Sequence, residues 1–166
     1  MDMIKFFLGI AIIAFSSFCG HLMAKKYLQR DSFFKQFREF NERFLNEISY
    51  TRRPLVEFIT AYSYEGEFRE LLQNFYTFLK EDSSNSSFLQ EGQAFAFLRA
   101  EDRQIIQDYF LMLGKGDTVS QRGYFSAMKS SLVELQLEAH NNAKRYSDLY
   151  IKIGFLCGLL LLILII

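Results

Sequence analysis

The chain has 166 residues, with 19 basic and 19 acidic side chains, two cysteines and two histidines. That length leaves room for one ordinary domain, and the even charge gives no basic excess with which to hold a nucleic acid. A single proline leaves room for long uninterrupted helices, and the helical spacing of the nineteen phenylalanines marks them as core.

Residues 6–24 carry no formal charge over 19 positions, enough to cross a hydrocarbon layer of roughly 30 Å as a helix. They predict a transmembrane helix over 4–24. Cleavage as a signal peptide is disfavoured because Leu22-Met23-Ala24 is followed by Lys25-Lys26. A lipoprotein cysteine at Cys19 is disfavoured because the bulky Phe18 precedes it.

Phe33, Phe37, Phe40, Phe44 and Ile48 then recur in steps of three and four, one apolar stripe on a helix that continues the first span. The helix should stop near residues 50–53, because the residue before Pro54 is pushed out of the helical region while Pro54 itself suits a first helical position. A short second helix follows at 55–62 and a turn at Gly66. Phe68, Leu71, Leu72, Phe75, Phe78 and Leu79 make the face of a third helix. The polar run 81–87 reads as an exposed loop. Ser87 with Gln90 can cap a fourth helix carrying Phe88, Phe95 and Leu98. Ile105, Ile106, Tyr109, Phe110 and Leu113 give a fifth.

Leu113-Gly114-Lys115-Gly116-Asp117-Thr118 has the vocabulary of a phosphate loop but not its spacing. Tyr109 stands where the first glycine is needed, and Gly116 where the metal-binding hydroxyl is needed. The string reads instead as a helix-helix turn. Gly114 or Gly116 closes one helix in the left-handed conformation and Asp117 or Thr118 caps the next, with Thr118 to Gln121 also fitting a capping box.

In the last helix Phe125, Met128, Leu132, Leu135, Ala139, Asn142, Tyr146, Leu149, Ile153 and Leu156 alternate in steps of three and four. They predict one rigid helix that carries a single seam into a second span at 149–166, with Lys152 snorkelling. Asn142 either fixes register on that seam or is simply solvated. Gly154 with Gly158, and Ser16 with Gly20, are small-xxx-small pairs that let helix backbones approach in lipid, either the two spans against each other or each against a partner. Cys19 and Cys157 are expected as small buried hydrophobes near one face of the membrane rather than as a disulfide. Lys25, Lys26, Arg30, Lys35 and Arg38 follow the first span, and Lys144, Arg145 and Lys152 precede the second. The positive-inside rule therefore places residues 25–152 in the cytosol. His21 and His140 stand apart, so no metal spacing exists, and no cofactor fingerprint or catalytic constellation occurs. The fold expected is all-α, an antiparallel bundle of about six helices (25–150) between two transmembrane helices, and the protein is not expected to be an enzyme.

Several strings resemble the stage III sporulation protein AB family of endospore-forming bacteria. They are Glu47-Ile48-Ser49-Tyr50 followed by Pro54-Leu55, Leu98 with Glu101-Asp102, Leu113-Gly114 with Asp117 and Gln121, and Tyr146 leading into residues 154–162. The family usually has a threonine before its proline, where Arg53 stands here. The resemblance implies a component of the mother-cell membrane, in a channel that joins mother cell and forespore. It implies a cytosolic domain similar to the F domain of the type II secretion inner-membrane platform, with a secretion-type ATPase and other membrane subunits as partners. On that reading the chain is a scaffold without cofactor, in contact with membrane lipids and able to form a homo-oligomer, and the adjacent Arg52 and Arg53 are candidates for docking an acidic partner. The alternative is a membrane-anchored helical sensor or regulator that binds a small ligand or a signalling partner in the bundle, which would require an internal cavity with converging polar groups.

Overall fold

The computed structural model describes residues 2–51, 53–81, 88–89, 95–113, 115 and 117–165. The order is α1 (Asp2–Asn46), a π-helical turn (Glu47–Thr51), α2 (Leu55–Ala61), α3 (Gly66–Glu81), α4 (Ala100–Met112) and α5 (Thr118–Ile165). The protein is all-α, with no strand among the described residues. Five α-helices are described where six were expected. Most of the expected fourth, including its Ser87 and Gln90 cap, lies outside the described residues. Its described end is a short turn in which the Leu98 N–H donates to the Phe95 carbonyl at 3.1 Å. Among the described residues one helix is long and apolar enough to cross a membrane, Thr118–Leu164 of α5. The first expected span, 4–24, falls in α1 and includes residues whose side chains lie outside the described ones.

The chain forms two compact units. One combines Met1–Asp31 with Glu138–Ile166, and the other is Ser32–Leu137.

The second unit is built on the phenylalanine stripe. Phe33, Phe34, Phe37, Phe40 and Phe44 of α1 are fully or almost fully buried, with Phe58 of α2, Phe68, Leu71 and Phe75 of α3, Tyr109 and Phe110 of α4, and Phe125 of α5. The rings meet edge to face, Phe37 on Tyr109 at 4.7 Å between centroids, Phe44 on Phe125 at 4.9 Å and Phe75 on Phe110 at 4.9 Å. Such pairs each add about 0.5–1.5 kcal/mol beyond the area they bury, because the positive ring edge meets the negative ring face. The stripe ends before Ile48, which is only half-buried, and Leu79 at the end of α3 also turns outward.

Local chemistry sets the helix ends. Pro54 is the N-cap of α2 rather than its first residue, with ψ at 140°, and its carbonyl accepts the Phe58 N–H at 3.0 Å. Gly66 opens α3 at φ +55°, a left-handed conformation that favours glycine. The Gln36 side-chain amide holds the approach to that turn, donating to the Glu65 carbonyl at 3.0 Å and accepting the Glu65 N–H at 2.7 Å. Asp102, buried at the third position of α4, accepts the Arg99 N–H at 3.0 Å and so satisfies one donor of the helix start.

Candidate functional site

In the first unit the early part of α1 packs against the late part of α5 through their smallest residues. A Cβ placed on Gly20 would lie 2.5 Å from the Tyr150 carbonyl oxygen and 3.2 Å from the Gly154 Cα. One on Gly154 would lie 2.8 Å from the Ser16 carbonyl oxygen, and one on Gly158 2.9 Å from the Ile13 Cα. The pairing runs antiparallel, since Gly9 meets Leu162, Ser16 meets Gly158 and Gly154, and Gly20 meets Gly154 and Tyr150. The Ser16 hydroxyl donates to the Gly154 carbonyl at 2.6 Å. All four small residues singled out in the sequence therefore meet in one contact between the two ends of the chain.

The seam read along α5 shifts within this unit. Leu149, Ile153 and Leu156 are exposed, and Gly154 and Gly158 take the buried face, because only residues without bulk fit where two backbones touch. Large side chains point away, with Phe15 at 70%, Leu160 at 62% and Leu164 at 77% exposure. Cys19 and Cys157 are likewise exposed rather than buried, lying off the small-residue face.

A polar belt adjoins this contact. Tyr27 stacks on Tyr146 at 5.1 Å and on Tyr150 at 5.8 Å. Arg30 pairs with Glu138 at 3.5 Å, and the His140 Nδ1 meets an Asp31 carboxylate oxygen at 3.0 Å. Only Tyr146 of the three rings stood out in the sequence. The signal available for the rest was the clustering of tyrosines at the ends of the two apolar runs.

The second unit holds a buried polar link that the sequence did not announce. Asn41, fully buried, accepts the Tyr109 hydroxyl at 2.9 Å and donates to the Phe125 carbonyl at 3.1 Å, joining α1, α4 and α5. Burial holds the Tyr109 hydroxyl well above the ordinary tyrosine pKa, with smaller contributions from Tyr124 and Tyr64. The neutral phenol is therefore favoured in the fold. Stability should be flat below the ordinary value of 10.0 and should fall as pH rises beyond it, while the unfolded chain ionises and the folded one does not. Denaturant midpoints across alkaline pH should show a smaller loss in Tyr109→Phe than in the native protein.

Of the candidate docking pair, Arg52 lies outside the described residues. Arg53 is engaged within the chain, where its backbone N–H donates to the Glu47 carboxylate at 3.3 Å and its guanidinium pairs with the same carboxylate at 3.5 Å. Glu47 is buried in the π-helical turn, and Tyr50 in that turn is 84% exposed.

Gly114 and Gly116 lie outside the described residues. Thr118 is the first residue of α5, and Asp117 caps that helix. The Asp117 carboxylate accepts the Val119 N–H at 3.3 Å and the Ser120 hydroxyl, and the Ser120 contact holds its pKa below the usual aspartate value. Gln121 donates its side-chain amide to the Lys115 carbonyl at 3.0 Å, and the cap is Asp117 rather than Thr118.

No group of three or more His, Cys, Asp or Glu able to hold a metal occurs among the described residues. The arrangement instead provides a close helix pair and a packed aromatic body.

A family model described as stage III sporulation protein AB matches residues 5–166. No curated relative and no solved structure matches the chain.

Proposed function

The chain belongs to the stage III sporulation protein AB family, and from that membership we propose that it is a non-enzymatic membrane scaffold of the channel between mother cell and forespore. The family itself ties the protein to the third stage of sporulation. On this reading both ends of the chain cross the mother-cell membrane around the forespore as one helix pair. The helical body between them faces the cytosol, docks a secretion-type ATPase and gathers the other membrane subunits.

The observation that carries the reading is the contact of Ser16 and Gly20 with Gly154 and Gly158, together with the outward turn of Phe15, Leu156, Leu160 and Leu164. In water the large side chains would seek the interface and the glycines would be dispensable. In lipid the bulky side chains are already solvated, and close backbone approach with a hydroxyl-to-carbonyl bond is what holds helices together. The basic residues that flank both apolar runs on the 25–152 side support the cytosolic placement of the body. For the body, the mutually packed rings of Phe37, Phe40, Phe68, Tyr109 and Phe110 favour a filled scaffold over a ligand-binding chamber.

The ATPase contact falls at Tyr50 and Arg53. Tyr50 offers an exposed aromatic anchor, and the Arg53 guanidinium, one third exposed beside Glu47, has donors left for a second carboxylate. In sporulating cells the full-length protein should capture the ATPase from solubilised membranes. Tyr50→Ala should weaken that capture by about tenfold or more while leaving helix content unchanged. Equal capture by the variant would remove this docking face, and no capture by the native chain would remove the scaffold role for the ATPase.

A further inference from the structure

One band of the helix pair carries charge that the protein does not neutralise. Six Lys and Arg side chains (Lys25, Lys26, Arg30, Lys144, Arg145 and Lys152) stand there against three carboxylates. Each carboxylate is engaged, Asp31 with His140, Glu138 with Arg30 and Asp148 with Lys152. Lys25, Lys26, Lys144 and Arg145 are left exposed, with no carboxylate at ion-pair distance among the described residues. Two of them lie on the tyrosine belt, the Lys26 ammonium 5.1 Å from the centre of Tyr27 and the Arg145 guanidinium 5.6 Å from the centre of Tyr146. The Tyr27 to Tyr146 stack brings the four to nearly one level along the antiparallel pair.

We propose that this band is a seat for the phosphate headgroups of anionic phospholipids. The inference rests on the reading that the helix pair lies in the bilayer. It goes further, naming the lipid class and the residues that select it. The band stands where the outward-facing Leu22, Met23, Ile151 and Ile153 give way to polar side chains, which is the depth of the headgroups for a helix pair in lipid. Tyrosine rings with cations beside them suit that depth because the ring is apolar on its body and polar at its tip. A groove of about 300 Å³ runs there between Leu28 and Ile151, walled by Lys144 and Ser147 and by Asp31 and Asp148, which are already engaged by His140 and Lys152, and it has space for the glycerol and upper methylenes of one lipid. The uncompensated cations choose a phosphate with net negative charge over a zwitterionic headgroup, by roughly fivefold for each cation near the surface.

The test uses the full chain in vesicles of phosphatidylcholine with a minor share of phosphatidylglycerol, and native mass spectrometry counts the lipids that leave with the protein. Phosphatidylglycerol should be enriched over its share of the vesicle by at least about fivefold, and the enrichment should fall as salt is raised. Lys26→Gln, Lys144→Gln and Arg145→Gln together should abolish it. Lys115→Gln, Arg122→Gln and Lys129→Gln together, the same change of charge in the second unit, should leave it intact. No enrichment by the native chain, no response to salt, or equal enrichment in both triple variants overturns the seat. The salt series on native protein decides the matter even if the band variant fails to fold. Release of the native chain from the vesicles by alkaline carbonate would instead strike at the membrane-spanning reading, and the seat would fall with it.

Discussion

Gly154→Ile is expected to separate the two helices of the first unit. The atoms that a side chain would meet at Gly154 are the Ser16 carbonyl oxygen at 2.8 Å, the Gly20 Cα at 3.1 Å and the Gly20 nitrogen at 3.4 Å. All are main-chain atoms, which cannot rotate aside, so the helices must move apart. The Ser16 bond to the Gly154 carbonyl is then lost as well. Overpacking of this kind costs about 1–3 kcal/mol or more. Gly9→Ala should be much milder, because its nearest neighbour is the end of the flexible Leu162 side chain. Gly123→Ala, which meets nothing within 4 Å, should be neutral or stabilise α5 slightly. The exposed Cys19 and Cys157, one on each helix, accept spin labels without disturbing the contact. Pulsed electron resonance should give one narrow distance distribution for native protein and for Gly123→Ala. Gly154→Ile should give a longer and broader one, and a distribution unchanged from native would mean that the helices do not touch there.

Asn41→Ala is expected to destabilise the second unit out of proportion to the few atoms it removes. It deletes the acceptor of the Tyr109 hydroxyl and the donor to the Phe125 carbonyl, both inside a core of aromatic rings. A buried hydroxyl left without a partner costs about 1–3 kcal/mol. The small cavity adds to that, so a loss of about 2–4 kcal/mol is expected. Tyr109→Phe alone should cost about 1–2 kcal/mol, since it strands the Asn41 side-chain oxygen. In Asn41→Ala with Tyr109→Phe both polar groups are gone, and the pair should cost less than the two single changes added together. Urea unfolding of the four proteins completes the cycle, and strict additivity would show that the two side chains do not share one interaction.

The helical body was legible because its phenylalanines recur at the spacing of one helix face, and Phe33, Phe37, Phe40 and Phe44 all reach the core. Asn41 was not legible, since a polar residue beside that stripe looks like its solvated edge until Tyr109 arrives from a helix 68 positions away. Glu47 was hidden for a related reason. A lone carboxylate reads as surface, and its burial depends on Arg53 turning back across the π-helical turn. On α5 the run of threes and fours was followed too far. Beyond Ala139 the buried positions pass to Ala143, Gly154 and Gly158, since glycine carries no hydrophobic signal yet wins a contact between backbones. The small-residue pairs were visible as pairs, but sequence spacing cannot say which helix they face. At the start of α5 the side-chain chemistry left Asp117 and Thr118 as alternative caps, and it is the Asp117 carboxylate that meets the Val119 N–H.

The bond from Ser16 to Gly154 joins positions 138 apart in the chain. Closing so long a loop carries a large entropic cost, and no contact nearby in sequence can substitute for it. During synthesis α1, made well before α5, is therefore late to find its mate. While the intervening residues are still emerging, the grooved flank of α1 at Ser16 and Gly20 is open to any other helix bearing a glycine ridge, which makes this the interval in which mispairing between neighbouring chains must be avoided.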